Sequence, residues 1–171
     1  MLKTSKIIWN AIAPFFTPEE FGDGWEELRP EILIPLFRLR LDLPDAGDSK
    51  IIINCGYEDR SGGHGKGLAV DFRIILKYGN FYAACGVVES FLKKYGLEHL
   101  VALGIYPEWG DGKRPGFHLE AEEIRRESPR RWGARYKRDT DGALFLRDGK
   151  AVQEYIAYES CLKNINGGYR I

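Results

Sequence analysis

The sequence predicts an α+β domain, because patterns typical of helices and patterns typical of strands occur in the same chain. Leucine and isoleucine side chains between residues 28 and 43 recur every three or four positions, which is the spacing of a helix with one apolar face. Short apolar runs at 51–53 and 68–72 are bounded by glycine and polar turns, which is typical of buried strands. A chain of 171 residues has the usual length of one domain, so we expect a single domain.

The composition is that of an ordinary globular protein. Apolar residues make up 44% and charged residues 29%, and 25 basic residues balance 25 acidic ones, so the overall charge indicates neither a nucleic-acid nor a membrane partner. Asn10 and Pro14 interrupt the apolar residues near the amino terminus, and no stretch approaches the roughly twenty apolar residues of a membrane span. We therefore expect a protein that is made in the cytoplasm without a signal peptide.

The first part of the chain is predicted to hold two helices and a strand. Thr17, followed by Pro18 and two glutamates, fits the start of a short helix, because threonine caps helix amino termini and proline is tolerated in the first turn. The longer apolar stripe contains Pro30 and Pro35, so the second helix either begins near Pro30 or is kinked. Residues 51–53 then form a strand that leads into a glycine-rich loop.

The centre of the chain is predicted to alternate strands with one helix. The strands are apolar runs with polar or glycine-containing ends, and they are expected at 68–76, 100–106 and 117–121. The helix is expected at 81–95, with Gly96 ending it. A polar loop at 107–115 holds Glu108 and Trp109.

The last part of the chain is rich in basic residues. Seven of the fourteen residues from 125 to 138 are arginine or lysine, interleaved with Trp132 and Tyr136. Such a stretch could bind RNA, DNA or an anionic wall polymer, but it is more often a solvated face with a tryptophan anchored in the core. Hairpin turns around 143–146 and a helix at 152–162 complete the predicted elements.

The three cysteines, Cys55, Cys85 and Cys161, are scattered and form no Cys-x-x-Cys pair. An odd, dispersed set argues against a disulfide framework and against a cysteine zinc site. Cys55 could be a nucleophile near a histidine, although a small buried apolar cysteine is the commoner case.

Two polar residues in the glycine-rich loop and the strand after it suggest chemistry. Five of the seven residues at 61–67 are glycine or serine, with His64 among them, and Asp71 lies inside the apolar run at 68–72. An ionised carboxylate in a buried strand is costly unless a cation meets it. A metal shared with His64 would meet it, since imidazole and carboxylate both bind zinc and a third ligand could come from elsewhere. The simpler alternative pairs Asp71 with an arginine and leaves His64 exposed.

The motif His64-x-x-Gly67-x-Ala69-x-Asp71 resembles the signature of the zinc D-alanyl-D-alanine carboxypeptidases and their peptidoglycan endopeptidase relatives, whose fold is shared with the hedgehog signalling domain. The family usually ends with a histidine on a late strand, and Gly116-Phe-His118-Leu-Glu120 is similar to that segment. The preceding Leu103-Gly-Ile-Tyr-Pro107 resembles the Gly-x-Tyr-Pro strand of the phage-type branch. Weaker similarities are Phe16-Thr-Pro-Glu-Glu-Phe21 and Asn54-Cys-Gly-Tyr57. The resemblance covers roughly residues 14–133 and leaves 134–171 as an extension of unknown role.

The resemblance implies a small antiparallel sheet flanked by helices, of the hedgehog/DD-peptidase type. It implies a zinc ion bound by His64, Asp71 and His118, with water in the fourth position, where its pKa would fall towards about 7. It also implies a peptidase that hydrolyses amide bonds of peptidoglycan stem peptides beside a D-amino acid, as a carboxypeptidase or a lysin-like endopeptidase that acts on the cell wall. The expected partner is therefore a peptidoglycan peptide, with no nucleic acid and no membrane span.

The chain departs from the family pattern at the catalytic acid. The carboxypeptidase branch has a glutamate three residues before the last histidine, where this chain has Pro115. Other branches have an acid two residues after that histidine, and Glu120 fits this place as general acid and base. Glu108 and Asp111 on the neighbouring loop are the other candidates.

A second departure concerns the residue that stabilises negative charge during the reaction. The family often has an arginine directly after Ser-Gly-Tyr, whereas Glu58 follows Tyr57 here, so Arg60 or Arg73 would have to substitute. Tyr57, Ser61 and Trp109 are expected to contact the substrate. The alternative to a peptidase is a zinc-stabilised binding module that kept the fold and lost turnover.

Overall fold

The computed structural model describes residues 6–45, 47–59, 61–109 and 114–166. Arg60, Asp111 and the glycine-containing tail at 167–171 lie outside these residues. The helices in the described part are α1 (Lys6–Ile12), α2 (Pro30–Leu41), α3 (Phe81–Lys94) and α4 (Tyr158–Asn166). Its strands are β1 (Lys50–Cys55), β2 (Ala69–Ile75), β3 (Val101–Tyr106), β4 (Gly116–Ala121), β5 (Arg131–Tyr136), β6 (Leu146–Arg147), β7 (Lys150–Ala151) and β8 (Gln153–Ile156).

Six strands form one mixed sheet in the order β1-β2-β4-β3-β5-β8, and β6 and β7 form a separate hairpin. The predicted α+β class is confirmed, but the sheet is mixed where the resemblance implies an antiparallel one. Neighbouring strands in it are antiparallel except β3 and β5, which are parallel. The segment at 122–130 explains the parallel pair. Because β4 is antiparallel to β3, β4 ends beside the first residue of β3. The segment then brings the chain to β5 at that same end, so β5 runs in the same direction as β3.

One face of the sheet carries the hydrophobic core. Phe72, Phe117 and Ile105 lie in register on neighbouring strands and have no exposed surface. Phe81 of α3 packs on Phe117, with ring centroids 5.0 Å apart. Because side chains alternate along a strand, the residues between these project from the opposite face. We call that opposite side the open face of the sheet.

Helix α2 supplies a large share of the buried apolar side chains. Pro30 is its first residue and Pro35 lies within it, so the first of the two sequence alternatives, a start near Pro30, is confirmed. The fully buried residues of its apolar stripe are Ile32, Leu33, Leu36 and Leu39. None of the helices in the described ranges is long and apolar enough to cross a membrane.

The end of the chain differs from the prediction of a helix at 152–162. Residues Gln153–Ile156 form β8, which pairs with β5, and α4 begins only at Tyr158. The basic stretch was not predicted to contain a strand, yet Arg131–Tyr136 is β5. Cys161 of α4 packs against Gly133 of β5, so these elements extend the same sheet and core.

Candidate metal centre

A row of residues in register crosses the open face of the sheet. Cys55 pairs with Asp71, Asp71 with His118, and His118 with Gly104, which pairs in turn with Trp132. Residues paired in register project to the same side of a sheet. The topology therefore brings together residues from five strands, and four of these residues carry side chains, since Gly104 has none.

His64 joins this row from the glycine-rich loop. A short turn, His64–Lys66, ends at Gly67, whose φ of +69° lies in the left-handed region that favours glycine. A Cβ on Gly67 would collide with the carbonyl oxygen of Glu27, so glycine lets the loop pack against the turn before α2. This packing buries His64, of which 4% is exposed.

Asp71 lies between two histidines. Its Oδ1 atom is 2.7 Å from His118 Nδ1 and 3.2 Å from His64 Nε2. The two imidazole ring centroids are 5.1 Å apart, and Asp71 is buried. The structure thus brings together the three residues for which the resemblance implies zinc binding.

The carbonyl group of Gly56 fixes the orientation and tautomer of His64. His64 Nδ1 donates to this oxygen at 2.6 Å, because a carbonyl can only accept. The other ring nitrogen, Nε2, is buried and has no hydrogen-bond partner in the described structure. It lies within ion-pair distance of Asp71, but the two atoms do not have the geometry of a hydrogen bond. In the neutral ring, a nitrogen lone pair would face a carboxylate oxygen. That arrangement calls for a cation, which is either a proton or a metal.

The charge states follow from these contacts. Burial lowers the pKa of His64, but its contacts with Asp71 and Cys55 raise it more, to about 10. Burial likewise opposes the charge on His118, and hydrogen bonds to Asp71 and Glu120 raise its pKa overall. Burial raises the pKa of Asp71, and both histidines lower it more. Without a metal, protons therefore occupy the ring nitrogens that face Asp71.

Cys55 lies near a histidine, as the less common of the two sequence alternatives had it, but the sequence did not identify it as a possible metal ligand. Cys55, His64 and Asp71 form a group whose ligand atoms lie within 4.8 Å of one another, and this group could hold a metal ion. The thiol sulfur is 3.7 Å from His64 Nδ1, whereas the Asp71 Oδ1 atom is 3.2 Å from His64 Nε2. The register of β1 shifts between Ile53 and Cys55, and an irregular pairing of this kind leaves no signal in the sequence.

Glu120 lies next to His118 and is held in place by an arginine. Its Oε2 atom is 3.4 Å from His118 Nε2 and 2.5 Å from Arg130 Nη2. A Cβ on Gly63 would lie 2.6 Å from the Glu120 carboxyl carbon, so the backbone of the loop packs against this carboxylate. The hydrogen bond to His118 lowers the pKa of Glu120 against its partial burial, and Arg130 adds to the effect.

The remaining predicted site residues in the described structure are the second candidate acid, Glu108, and the expected substrate contacts Tyr57, Ser61 and Trp109. Glu108 pairs with Arg138 at 2.9 Å. Tyr57 packs over Gly24, where a Cβ would lie 2.5 Å from its ring, and Ser61 is exposed in the loop before His64. Trp109 stacks on Tyr106 beside the row of site residues.

The basic stretch is largely neutralised by acidic side chains. Each of five arginines lies 2.5–3.2 Å from a glutamate, and the pairs are Arg126 with Glu122, Arg130 with Glu120 and Glu122, Arg131 with Glu89, Arg135 with Glu154, and Arg138 with Glu108. Trp132 is half-buried on the open face instead of lying in the core. These pairings favour an internal, structural role for the stretch over a cationic binding surface.

Comparison with known proteins adds no family assignment. No protein-family model, curated protein or solved structure matches this chain.

Proposed function

We propose that this protein is a zinc-dependent peptidase that hydrolyses amide bonds of peptidoglycan stem peptides next to a D-amino acid, with a fold of the hedgehog/DD-peptidase type. One observation carries the proposal. His64 and His118, far apart in sequence and both part of the family-like motifs, direct ring nitrogens at the same oxygen of Asp71. The buried Nε2 atom of His64, which lacks a hydrogen-bond partner in the described residues, fits a metal ligand.

His64 Nε2, Asp71 Oδ1 and His118 Nδ1 would hold the zinc. The hydrogen bond from His64 Nδ1 to Gly56 keeps the Nε2 lone pair on the metal side, and the contact between His118 Nε2 and Glu120 does the same for Nδ1 of that ring. Two histidine nitrogens and one carboxylate oxygen are a usual set of protein ligands at a catalytic zinc site. Bound zinc supplies a Lewis acid and a water molecule of lowered pKa.

Glu120 is the leading acid and base of the proposal. Its carboxylate is ionised at neutral pH, as an ordinary glutamate is, and its contacts with His118 and Arg130 lower its pKa further. An ionised carboxylate can accept a proton from water and return it to the leaving amine. Arg130 holds the carboxylate beside His118, and this contact also orients the His118 ring. Glu108 is tied to Arg138 and ranks second.

The proposal is tested by incubating the zinc-loaded protein with purified peptidoglycan and, separately, with casein. New amines and released fragments are followed by mass spectrometry. We expect stem-peptide fragments from the wall, none from casein, and loss of activity with a chelator that zinc reverses. Silence on walls of several chemotypes, with zinc bound, contradicts a peptidase.

Cys55 favours a second candidate, a zinc-stabilised module without turnover. Its thiol belongs to the Cys55, His64 and Asp71 group, and with His118 it would raise the number of protein ligands to four. Four protein ligands are typical of structural zinc, whereas catalytic zinc keeps an open position. A Cys55→Ala variant separates the two, because it weakens zinc binding strongly only if the thiol is a ligand.

A further inference from the structure

Four aromatic side chains form a second feature of the open face, beside the metal centre. They are Tyr106 at the end of β3, Trp109 in the loop after it, Trp132 on β5 and Tyr155 on β8, and we call them the aromatic shelf. Trp109 stacks on Tyr106 with ring centroids 4.4 Å apart, and Trp132 donates its indole N–H to the Tyr106 hydroxyl at 3.2 Å. Tyr155 of β8 pairs with Ala134, two residues after Trp132 on β5, so its side chain projects from the same face of the sheet. The four side chains therefore lie close together on the open face.

Two glycines let the indole rings lie against the sheet. A Cβ on Gly104 would lie 2.6 Å from the Trp132 ring, and a Cβ on Gly116 would lie 2.6 Å from the Trp109 ring. Glycine inside a strand is destabilising relative to alanine, and it often marks a place where another group approaches the backbone closely. Here the approaching groups are the two indoles of the shelf.

The shelf adjoins the metal centre. The His118 and Trp132 ring centroids are 5.5 Å apart. Tyr155, at the outer end, is 72% exposed, while Trp109 and Trp132 are half-buried. A molecule lying on the shelf therefore extends from solvent to the proposed metal ligands.

The charges around the shelf favour an uncharged ligand. Arg130 lies over Trp132, with Cζ 5.4 Å from the ring centroid, so it already covers this face of the ring and leaves Trp109 and Tyr155 as the rings that a ligand can contact. The same arginine pairs with Glu120, and Arg138 pairs with Glu108. With their charges met by glutamates, these arginines give a polyanion little to bind.

The shape of the shelf indicates the class of ligand. Apolar side chains of peptides are usually held in enclosed pockets. The shelf instead offers the flat rings of Trp109, which stacks on the buried Tyr106, and of the exposed Tyr155, whose hydroxyl is a polar edge. A sugar ring presents one apolar C–H face and a rim of hydroxyls, which matches such a layer.

We propose that the aromatic shelf binds a neutral sugar ring, of the N-acetylated hexosamine class found in wall glycan. The peptide attached to that sugar then reaches the metal centre, and this last clause rests on the proposed peptidase function. Sugar binding itself requires no turnover, so it is measured separately from hydrolysis.

The test is calorimetric and fluorescence titration of the zinc-loaded full chain with triacetylchitotriose. Trp109→Ala and Tyr155→Ala should each weaken binding by about tenfold, the usual scale for loss of one aromatic contact. Tyr78→Ala is the matched control, because Tyr78 is 73% exposed and belongs to no part of the shelf. It should bind the sugar like the original protein. Because Tyr155 is on the surface, its substitution should leave the fold intact even if the Trp109 variant does not fold.

Two results would overturn the proposal. The first is absence of saturable sugar binding by the original protein, even if that protein hydrolyses walls, in which case the peptidase function stands alone. The second is that the shelf variants weaken binding of a free stem peptide and leave sugar binding unchanged, which assigns the shelf to the peptide. Sugar binding that depends on the shelf, without hydrolysis of any wall, supports the shelf and contradicts the peptidase.

Discussion

His64 links the metal centre to pH. Despite the cost of burial, contacts with Asp71 and Cys55 raise the pKa of His64 to about 10, against about 6.5 in an unfolded chain. A raised pKa means that the charged ring stabilises the metal-free fold fully below pH about 6.5, and that this contribution is lost as the pH rises through about 10. We therefore expect the melting temperature of the metal-free protein to fall over this interval.

A His64→Gln variant provides the comparison, because other groups also titrate in this range. Its melting temperature should be lower at pH 6 and should fall less steeply with rising pH. Parallel profiles for the two proteins would show that His64 carries no stabilising proton.

Glu120 and Glu108 form a matched pair for assigning the acid and base. Both are glutamates paired with an arginine, but only Glu120 also contacts His118. We expect Glu120→Gln to keep zinc and lose about a hundredfold or more in turnover, the usual scale for a general acid or base, while Glu108→Gln stays near the original rate. The reverse order of rates would move the role to the loop at 107–115.

At the scale of elements, the turn at His64–Lys66 depends on its final glycine. Gly67 and Gly96 both have positive φ, +69° and +64°, but only a Cβ on Gly67 would collide with neighbouring backbone. Gly96→Ala should cost about 1–2 kcal/mol of stability, the cost of a left-handed alanine. Gly67→Ala should cost clearly more in chemical denaturation and should also weaken zinc binding, since it displaces His64. Equal losses in the two variants would mean that the loop adapts freely.

The elements with strong local patterns could be predicted from the sequence. Helix α3 and strands β2, β3 and β4 lie close to their predicted positions, because each combines an apolar run with clear stop signals such as Gly96. Strand β8 was wrongly predicted as part of a helix. Its residues gain their strand structure from pairing with β5, which is distant in sequence. Such long-range pairing overrides local preference and has no signature in a single sequence.

The site was predictable only in part for the same reason. A family-like motif pointed to His64, Asp71 and His118, which the fold brings together. The approach of Cys55 depends on the irregular pairing of β1, and the clamp of Arg130 on Glu120 depends on β5. Both are consequences of strand register, and residue types alone did not reveal them.

At the scale of the whole molecule, the sheet separates stability from chemistry. One face carries the apolar core with α2, α3 and α4, while the open face carries the candidate metal centre and the aromatic shelf. Residues beyond 133 belong to this plan, since β8 extends the sheet and α4 adds Tyr158 and Cys161 to the core. The extension is therefore structurally continuous with the part of the chain that resembles the peptidases.

The proposed function requires a zinc centre with three protein ligands and an open position. A crystal structure of the zinc-loaded protein, with anomalous scattering to identify the metal, shows the ligands themselves. We expect one zinc bonded to His64 Nε2, Asp71 and His118 Nδ1 at about 2.0–2.2 Å, with water in the remaining position. Zinc bonded to the Cys55 sulfur in place of water, or no zinc between the two histidines, would contradict it.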